Sequence, residues 1–241
     1  FFIKRMLKEA SLITTDALHL KKIVMNLGIK NNIEIINFGI DVNKFSKFKN
    51  NRSIKEKGVI NLISSRSFHP IYNIDLLIKS IKNVSKKIKN FKLYLVGDGP
   101  QKNKLKNLVN ELNLNNYVIF KGFVKNDDLP SILNNMDIYI STSKSDAGIA
   151  SSTAEAMSCE LICVISDVYD NKFWIKDKKS GFLFKSNDIM SLTSNILFAI
   201  EYFYSNKKSI QKTAREKILK DNNFLIEMNK MNKLIIKLFN A

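Results

Sequence analysis

Glycine, proline and cysteine are scarce in this chain. Its 241 residues include eight glycines, three prolines, two cysteines, two histidines and one tryptophan. Cys159 and Cys163 stand four apart with no histidine nearby. That spacing excludes a disulfide framework and a zinc pattern, and it suits a reducing, cytoplasmic compartment. There is no run of about 18 apolar residues, so no transmembrane helix is expected. "FFIKRMLKEA" lacks the apolar region and cleavage site of a signal peptide. No Asp-x-Asp pair is present, which weakens a carboxylate-held metal site. Neither His19 nor His69 lies near a Ser-x-Gly elbow or an acid pair, so a hydrolase triad has no support. "VGDGPQKNK" begins like a dinucleotide fingerprint, but Lys102 stands where the third glycine belongs.

Basic residues, by contrast, are abundant. Thirty-nine Lys and Arg against twenty-two Asp and Glu give a formal charge of +17. The lysines are dispersed along the chain, which reads first as compositional bias and second as attraction to an anionic membrane surface. Nucleic-acid binding is not expected, because neither a focused basic face nor an aromatic platform is visible. The chain does not open with Met, and its first segment reads as mid-protein helix. A fragment of a longer protein is therefore expected.

Short β-branched runs alternate with segments of helical period, the pattern of βαβ units and a parallel sheet. Strands are predicted at 58–65, 91–97, 117–122, 137–142, 161–166 and 181–184, and helices at 73–88, 101–114, 127–136, 151–158, 188–204 and 206–220. The fold class is α/β, a doubly wound parallel sheet with the remnant of a second domain. Residues 1–41 read as the incomplete end of an N-terminal domain, 42–58 as a polar linker, 59–220 as the main domain, and 221–241 as a last helix. That helix is expected to cross back to the N-terminal part, in preference to anchoring at a membrane.

Gly97, Gly99, Gly122 and Gly148 all follow predicted strands, at the sheet edge where open α/β folds carry their ligands. After "DIYIST" comes "SKSDAGIASSTAE": a strand end, a turn at Gly148, then a helix of small residues. The first amides of such a helix, near Ile149, Ala150 and Ser151, suit a phosphate. Glu155 lies deeper on the face of Ser151 and Ser152. A carboxylate repels a diphosphate, but it accepts hydrogen bonds from vicinal sugar hydroxyls. Phosphate at the amides and ribose at Glu155 together describe a nucleoside diphosphate. Arg66, closing "NLISSR", is placed to stabilise phosphate charge. "FKGFVKNDDL" offers backbone groups to a base.

With these motifs on the page, the chain resembles the C-terminal half of the retaining glycosyltransferases of family 4, enzymes of two-Rossmann-domain B-type fold. The motifs carrying the likeness are "SSRSFHPIYNIDLLIKS", "LYLVGDGPQKNKLKNLV", "VIFKGFV", "DIYISTSKSDAGIASSTAEAMSCELICVISD" and "NKFWIKDKKSGFLF", in that order across most of residues 10–205. The resemblance implies sugar transfer from a nucleotide-sugar, such as a UDP-sugar, to an acceptor hydroxyl with retention. A glycan or lipid-linked glycan in cell-surface polysaccharide synthesis is the implied acceptor, with peripheral membrane contact and no metal or other cofactor. It implies catalytic roles for Arg66 and Asp146, and donor contacts from Arg66, Gly97, Val124, Asp146, Gly148, Ile149, Ala150 and Glu155.

Two departures stand out. Asp146 and Glu155 are nine apart where the family's paired acids are eight apart, which puts Ala147 in register. Ile71 and Tyr72 stand where the family carries a phosphate-binding Lys, and Tyr72 is expected to offer its hydroxyl instead. His69 is expected to be structural or exposed, and Trp174 to pack. The competing expectation is a nucleotide-binding module or split half, inactive without an N-terminal domain.

Overall fold

The computed structural model describes residues 2–48 and 58–240. The predicted linker, 42–58, lies partly outside them.

The chain opens with α1 (Phe2–Glu9), β1 (Ile13–Thr15), α2 (Leu18–Asn26) and β2 (Ile33–Ile35), and β1 and β2 pair in parallel as a two-stranded sheet. Ile13, Ile29 and Ile33 form its small core with Leu7 and Val24. The main body follows as β3 (Ile60–Ser65), α3 (Ile74–Lys87), β4 (Phe91–Val96), α4 (Lys102–Glu111), β5 (Val118–Gly122), α5 (Leu129–Asn134), β6 (Ile138–Ser141), α6 (Ser151–Ser158), β7 (Ile162–Ser166), α7 (Asn171–Trp174) and β8 (Phe182–Phe184). The chain ends in α8 (Ile189–Tyr204), α9 (Ser209–Asp221) and α10 (Phe224–Phe239). The six strands of the main body form one parallel sheet in the order β5-β4-β3-β6-β7-β8.

Strands buried on both faces read as continuous apolar runs, and β3, β6 and β7 do so because helices cover each face. Their side chains alternate between two cores. Leu62, Ile138, Ile140, Ile162 and Val164 face α3, α4 and α8. Ile63, Tyr139, Cys163 and Ile165 face α5, α6 and α9. Trp174 is buried in this second core, as expected from its setting. So are Val42 and Phe45, within the stretch that reads as linker. Polar composition hid them, because among the described residues of that stretch only these two are buried. Both cysteines are buried thiols; burial pushes Cys159 up to about 12 and raises Cys163 further.

Among the described residues no helix is long and apolar enough to cross a membrane. α10 meets the N-terminal part instead. Ile40 bridges to Asn223, and the fully buried Glu227 accepts the Asn37 backbone N–H at 2.9 Å while pairing with Lys230. Removing that carboxylate strands a donor in a closed contact. Glu227→Ala is expected to cost about 1–3 kcal/mol, read as a lower urea midpoint, with Glu227→Gln losing less. Equal midpoints for Glu227→Ala and the parent chain would show that this contact does not hold α10 in place.

Candidate functional site

The strand order reverses between β3 and β6. From β3 the chain steps outward through β4 to β5, then returns to lay β6 on the other side of β3 and moves on through β7 to β8. Such a reversal leaves a crevice beyond the carboxyl ends of the two central strands, because the crossovers leave in opposite directions. Arg66 lies just after β3, and residues 142–150 follow β6. Two distant stretches of sequence therefore meet at one place.

Two glycines let the backbone close around it. Gly97 has φ +143°, and a Cβ there would run into the carbonyl of Arg66. Its amide donates to the Gly122 carbonyl at 2.8 Å, tying the loops after β3, β4 and β5 together. Gly148 has φ +71°, and a Cβ there would lie 2.5 Å from the Asp16 carbonyl oxygen. The loop after β6 thus presses directly on the exit of β1. Nearby, His19 donates its backbone N–H to Asp170 at 3.2 Å and stacks on Tyr169 at 4.8 Å. A narrow cleft between the two parts is lined by Asp16, Asn37, Phe38, Ala147, Ile149 and Ser151, among others.

Arg66 is the centre of a polar network. Its side chain is only 9% exposed. Nη2 donates to Asp146 Oδ1 at 2.5 Å and Nη1 to Ser152 Oγ at 3.2 Å. The guanidinium lies 4.2 Å from the centre of the Tyr72 ring, a cation–π contact. Nε is buried and has no hydrogen-bond partner among the described residues. Ser152 Oγ is itself 2.8 Å from the Tyr139 hydroxyl, which burial keeps neutral by raising its pKa. On the other side Asn171 Nδ2 lies 3.5 Å from Asp146 Oδ2 and donates to the Ser166 carbonyl at 2.9 Å.

Arg66 and Asp146 therefore do not stand apart as separate ligand groups; each is the other's partner. An anion entering the crevice competes with Asp146 for the guanidinium. Tyr72 presents its ring face to Arg66. His69 is exposed ahead of a short 3-10 turn at Pro70–Tyr72.

α6 starts at Ser151, directly after the extended Ala150, and no side chain caps it. Its first intrahelical acceptor is the Ala150 carbonyl, used by Thr153 and Ala154, so the amides of Ser151 and Ser152 lie ahead of the helical ladder. Ile149 and Ala150 are half-buried beside them. Val124 packs half-buried against the second core on the loop after β5. Among the described residues no group of three or more His, Cys, Asp or Glu is gathered to hold a metal ion.

Glu155 sits further along α6 and is 7% exposed. Burial raises its carboxyl from an ordinary 4.5 to about 7, against the opposing pull of Lys44 and a hydrogen bond from Asn126. A carboxyl poised there is half charged near neutrality. Its effect on stability has a definite sign. Between 4.5 and about 7 the folded chain holds a proton that the unfolded chain has released, so its stabilising contribution is lost as pH rises. The melting temperature of the parent chain is expected to fall relative to that of Glu155→Gln between about pH 5 and about pH 8. A gap that stays constant over that range would place the Glu155 carboxyl at its ordinary value.

Tyr139, Ser152, Asn171, Lys44 and Asn126 were not singled out from the sequence. Tyr139 reads as one more apolar strand residue, and only its inward register, one position off its Ile neighbours, hints otherwise.

Comparison with known proteins bears on this arrangement. The model of the family described as glycosyl transferases group 1 matches residues 43–217. That covers more than half of the chain, and the chain belongs to this family. It is 28% identical over 217 residues to the UDP-Gal:alpha-D-GlcNAc-diphosphoundecaprenol alpha-1,3-galactosyltransferase of Escherichia coli, covering 85% of this chain and 54% of that protein. Its fold matches sucrose-phosphate synthase from Thermosynechococcus elongatus with a TM-score of 0.87 at 20% identity, over 99% of this chain and 61% of the other. It also matches Anabaena HepE, solved with UDP-glucose, with a TM-score of 0.85 at 18% identity, over 98% of this chain and 66% of the other. The chain spans about half to three fifths of the length of the first curated relatives it matches.

Proposed function

We propose that this member of the group 1 glycosyl transferases supplies the donor half of an enzyme that moves a sugar from a nucleotide-sugar to an acceptor hydroxyl, with anomeric retention. The observation that carries the reading is the meeting of Arg66 with the uncapped start of α6 at the switch point between β3 and β6. A buried guanidinium and free helix-start amides together form a cradle for a diphosphate. Glu155, deeper on the same helix, would receive the ribose hydroxyls, and the loop carrying Val124 would meet the base. The UDP-galactose named for the E. coli relative and the UDP-glucose bound by HepE favour a UDP-sugar.

In the transfer, the bond from the anomeric carbon to the diphosphate oxygen breaks and a bond to the acceptor oxygen forms. The diphosphate departs with the bonding electron pair, and its freed oxygen takes up the proton that the acceptor hydroxyl gives up. Charge gathers on that leaving group, where Arg66 and the α6 amides would stabilise it, and losing one such donor typically costs about 2.7–4 kcal/mol in the barrier. Asp146 must give up Arg66 as the diphosphate enters, which frees its carboxylate to turn toward the donor sugar. We read donor binding as independent of a metal ion, with Arg66 and the amides meeting the charge. The acceptor side belongs to the cleft facing Asp16 and Phe38, and a glycan or lipid-linked glycan is the acceptor class we favour. A lipid-linked acceptor would bring the protein to a membrane surface, which its charge of +17 suits.

One observation favours a second reading, a nucleotide-binding half with no activity of its own. Asp146 already occupies Arg66, so the site as it stands is weakly primed for a diphosphate.

Calorimetric titration with UDP, GDP and ADP, with magnesium and with EDTA, tests the proposal. UDP is expected to bind saturably in both conditions. Arg66→Ala and Glu155→Ala are each expected to weaken binding about ten- to a hundredfold, the range for hydrogen bonds to charged groups. UDP binding that is unchanged in both variants would place the nucleotide elsewhere, and binding of none of the three would count against the reading.

A further inference from the structure

Residues 41–48 form a tightly held turn ahead of the main sheet. Asp41 Oδ1 accepts the backbone N–H groups of Asn43 and Lys44 at 2.9 and 3.0 Å. Ser158, the last residue of α6, donates to the Phe45 carbonyl at 2.5 Å, and the Phe48 N–H donates to Asn134 of α5 at 2.8 Å. Phe45 itself is buried. The turn is therefore a rigid mount, and one side chain reaches out from it. Lys44 Nζ donates to Asn126 Oδ1 at 2.5 Å and to Asp127 Oδ1 at 2.7 Å, both in the loop between β5 and α5. Asn126 is also the loop residue that acts on the Glu155 carboxyl, lowering it against the effect of burial.

Building on the nucleotide reading above, we propose that Lys44 is the positioning residue for the nucleoside end of the site. Its ammonium ties the loop after β5 to the turn at 41–48, which Ser158 fixes to the end of α6, so the backbone that would meet the base and the carboxylate that would meet the ribose keep a set separation.

Magnitudes separate this role from a structural one. Asp127 is 90% exposed and Lys44 30% exposed, and ion pairs so open to water contribute little to stability. The contact places a loop more than it holds up the fold. Lys44 also carries positive charge beside a carboxyl that burial would otherwise keep protonated. The other groups about Glu155 are few. Asn126 faces it from the loop, and Cys159 lies one turn on, with Lys47 and Arg215 acting on that thiol from the turn and from α9. Loss of Lys44 thus removes both the tether of the loop and a positive charge that lowers the Glu155 carboxyl.

Two readouts on the full chain test this. In carboxyl NMR without ligand, the Glu155 midpoint of about 7 is expected to move upward in Lys44→Ala and to stay in place in Lys44→Arg. In calorimetry near neutral pH, Lys44→Ala is expected to bind UDP about tenfold more weakly, with the gap narrowing as alkaline pH ionises Glu155 in both proteins, and Lys44→Arg to restore binding. Melting temperature should barely change. An unmoved Glu155 midpoint together with unchanged UDP affinity in Lys44→Ala would overturn the proposal. If binding is lost in Glu155→Ala but kept in Lys44→Ala, only the role of Lys44 falls. If Glu155→Ala binds like the parent chain, the nucleotide reading itself falls.

Discussion

The parallel pairing of β3 with β6 is the constraint on which the rest of the site depends. Leu62 pairs with Ile138 and Ile63 with Tyr139. That register puts the ends of two strands side by side although about seventy residues separate them. The crossovers through α3 and α6 then leave on opposite faces of the sheet. Arg66 and the 142–150 loop meet because the backbones beneath them are hydrogen-bonded neighbours. The same pairing aims Tyr139 into the second core, where its hydroxyl meets Ser152.

A cation placed in that crevice must be compensated, because removing a charge from water is costly unless it is paired and hydrogen-bonded. Arg66 meets this through Asp146, Ser152 and the ring of Tyr72, while its Nε has no partner among the described residues. The partners are themselves held: Ser152 by Tyr139, and Asp146 by Asn171. The network has the form of a site arranged around an anion, with a carboxylate of the chain itself in contact with the cation.

Much of this was legible in the residue order. Doubly buried strands announce themselves as apolar runs, and β3 through β8 lie within a residue or two of where those runs fall. Glycines after strands marked the sheet edge where Arg66 and the 142–150 loop meet, and small residues after Gly148 marked the start of α6. The pairing of Arg66 with Asp146 was not legible, since residues eighty apart meet only through sheet register. Lys44 was invisible for a different reason. It sits in a polar stretch that reads as linker, and only the burial of Val42 and Phe45 on either side turns that stretch into a fixed mount. Spacing along the chain shows local chemistry well. It says little about which distant side chain will answer a charge.

The close pass of Gly148 against the Asp16 carbonyl has a mechanical meaning. With no side chain between them, two backbones touch, and a bare backbone contact transmits force without a cushion. The two sides of the cleft thus bear on each other at one point, and that point leaves no room for a side chain beyond glycine's hydrogen.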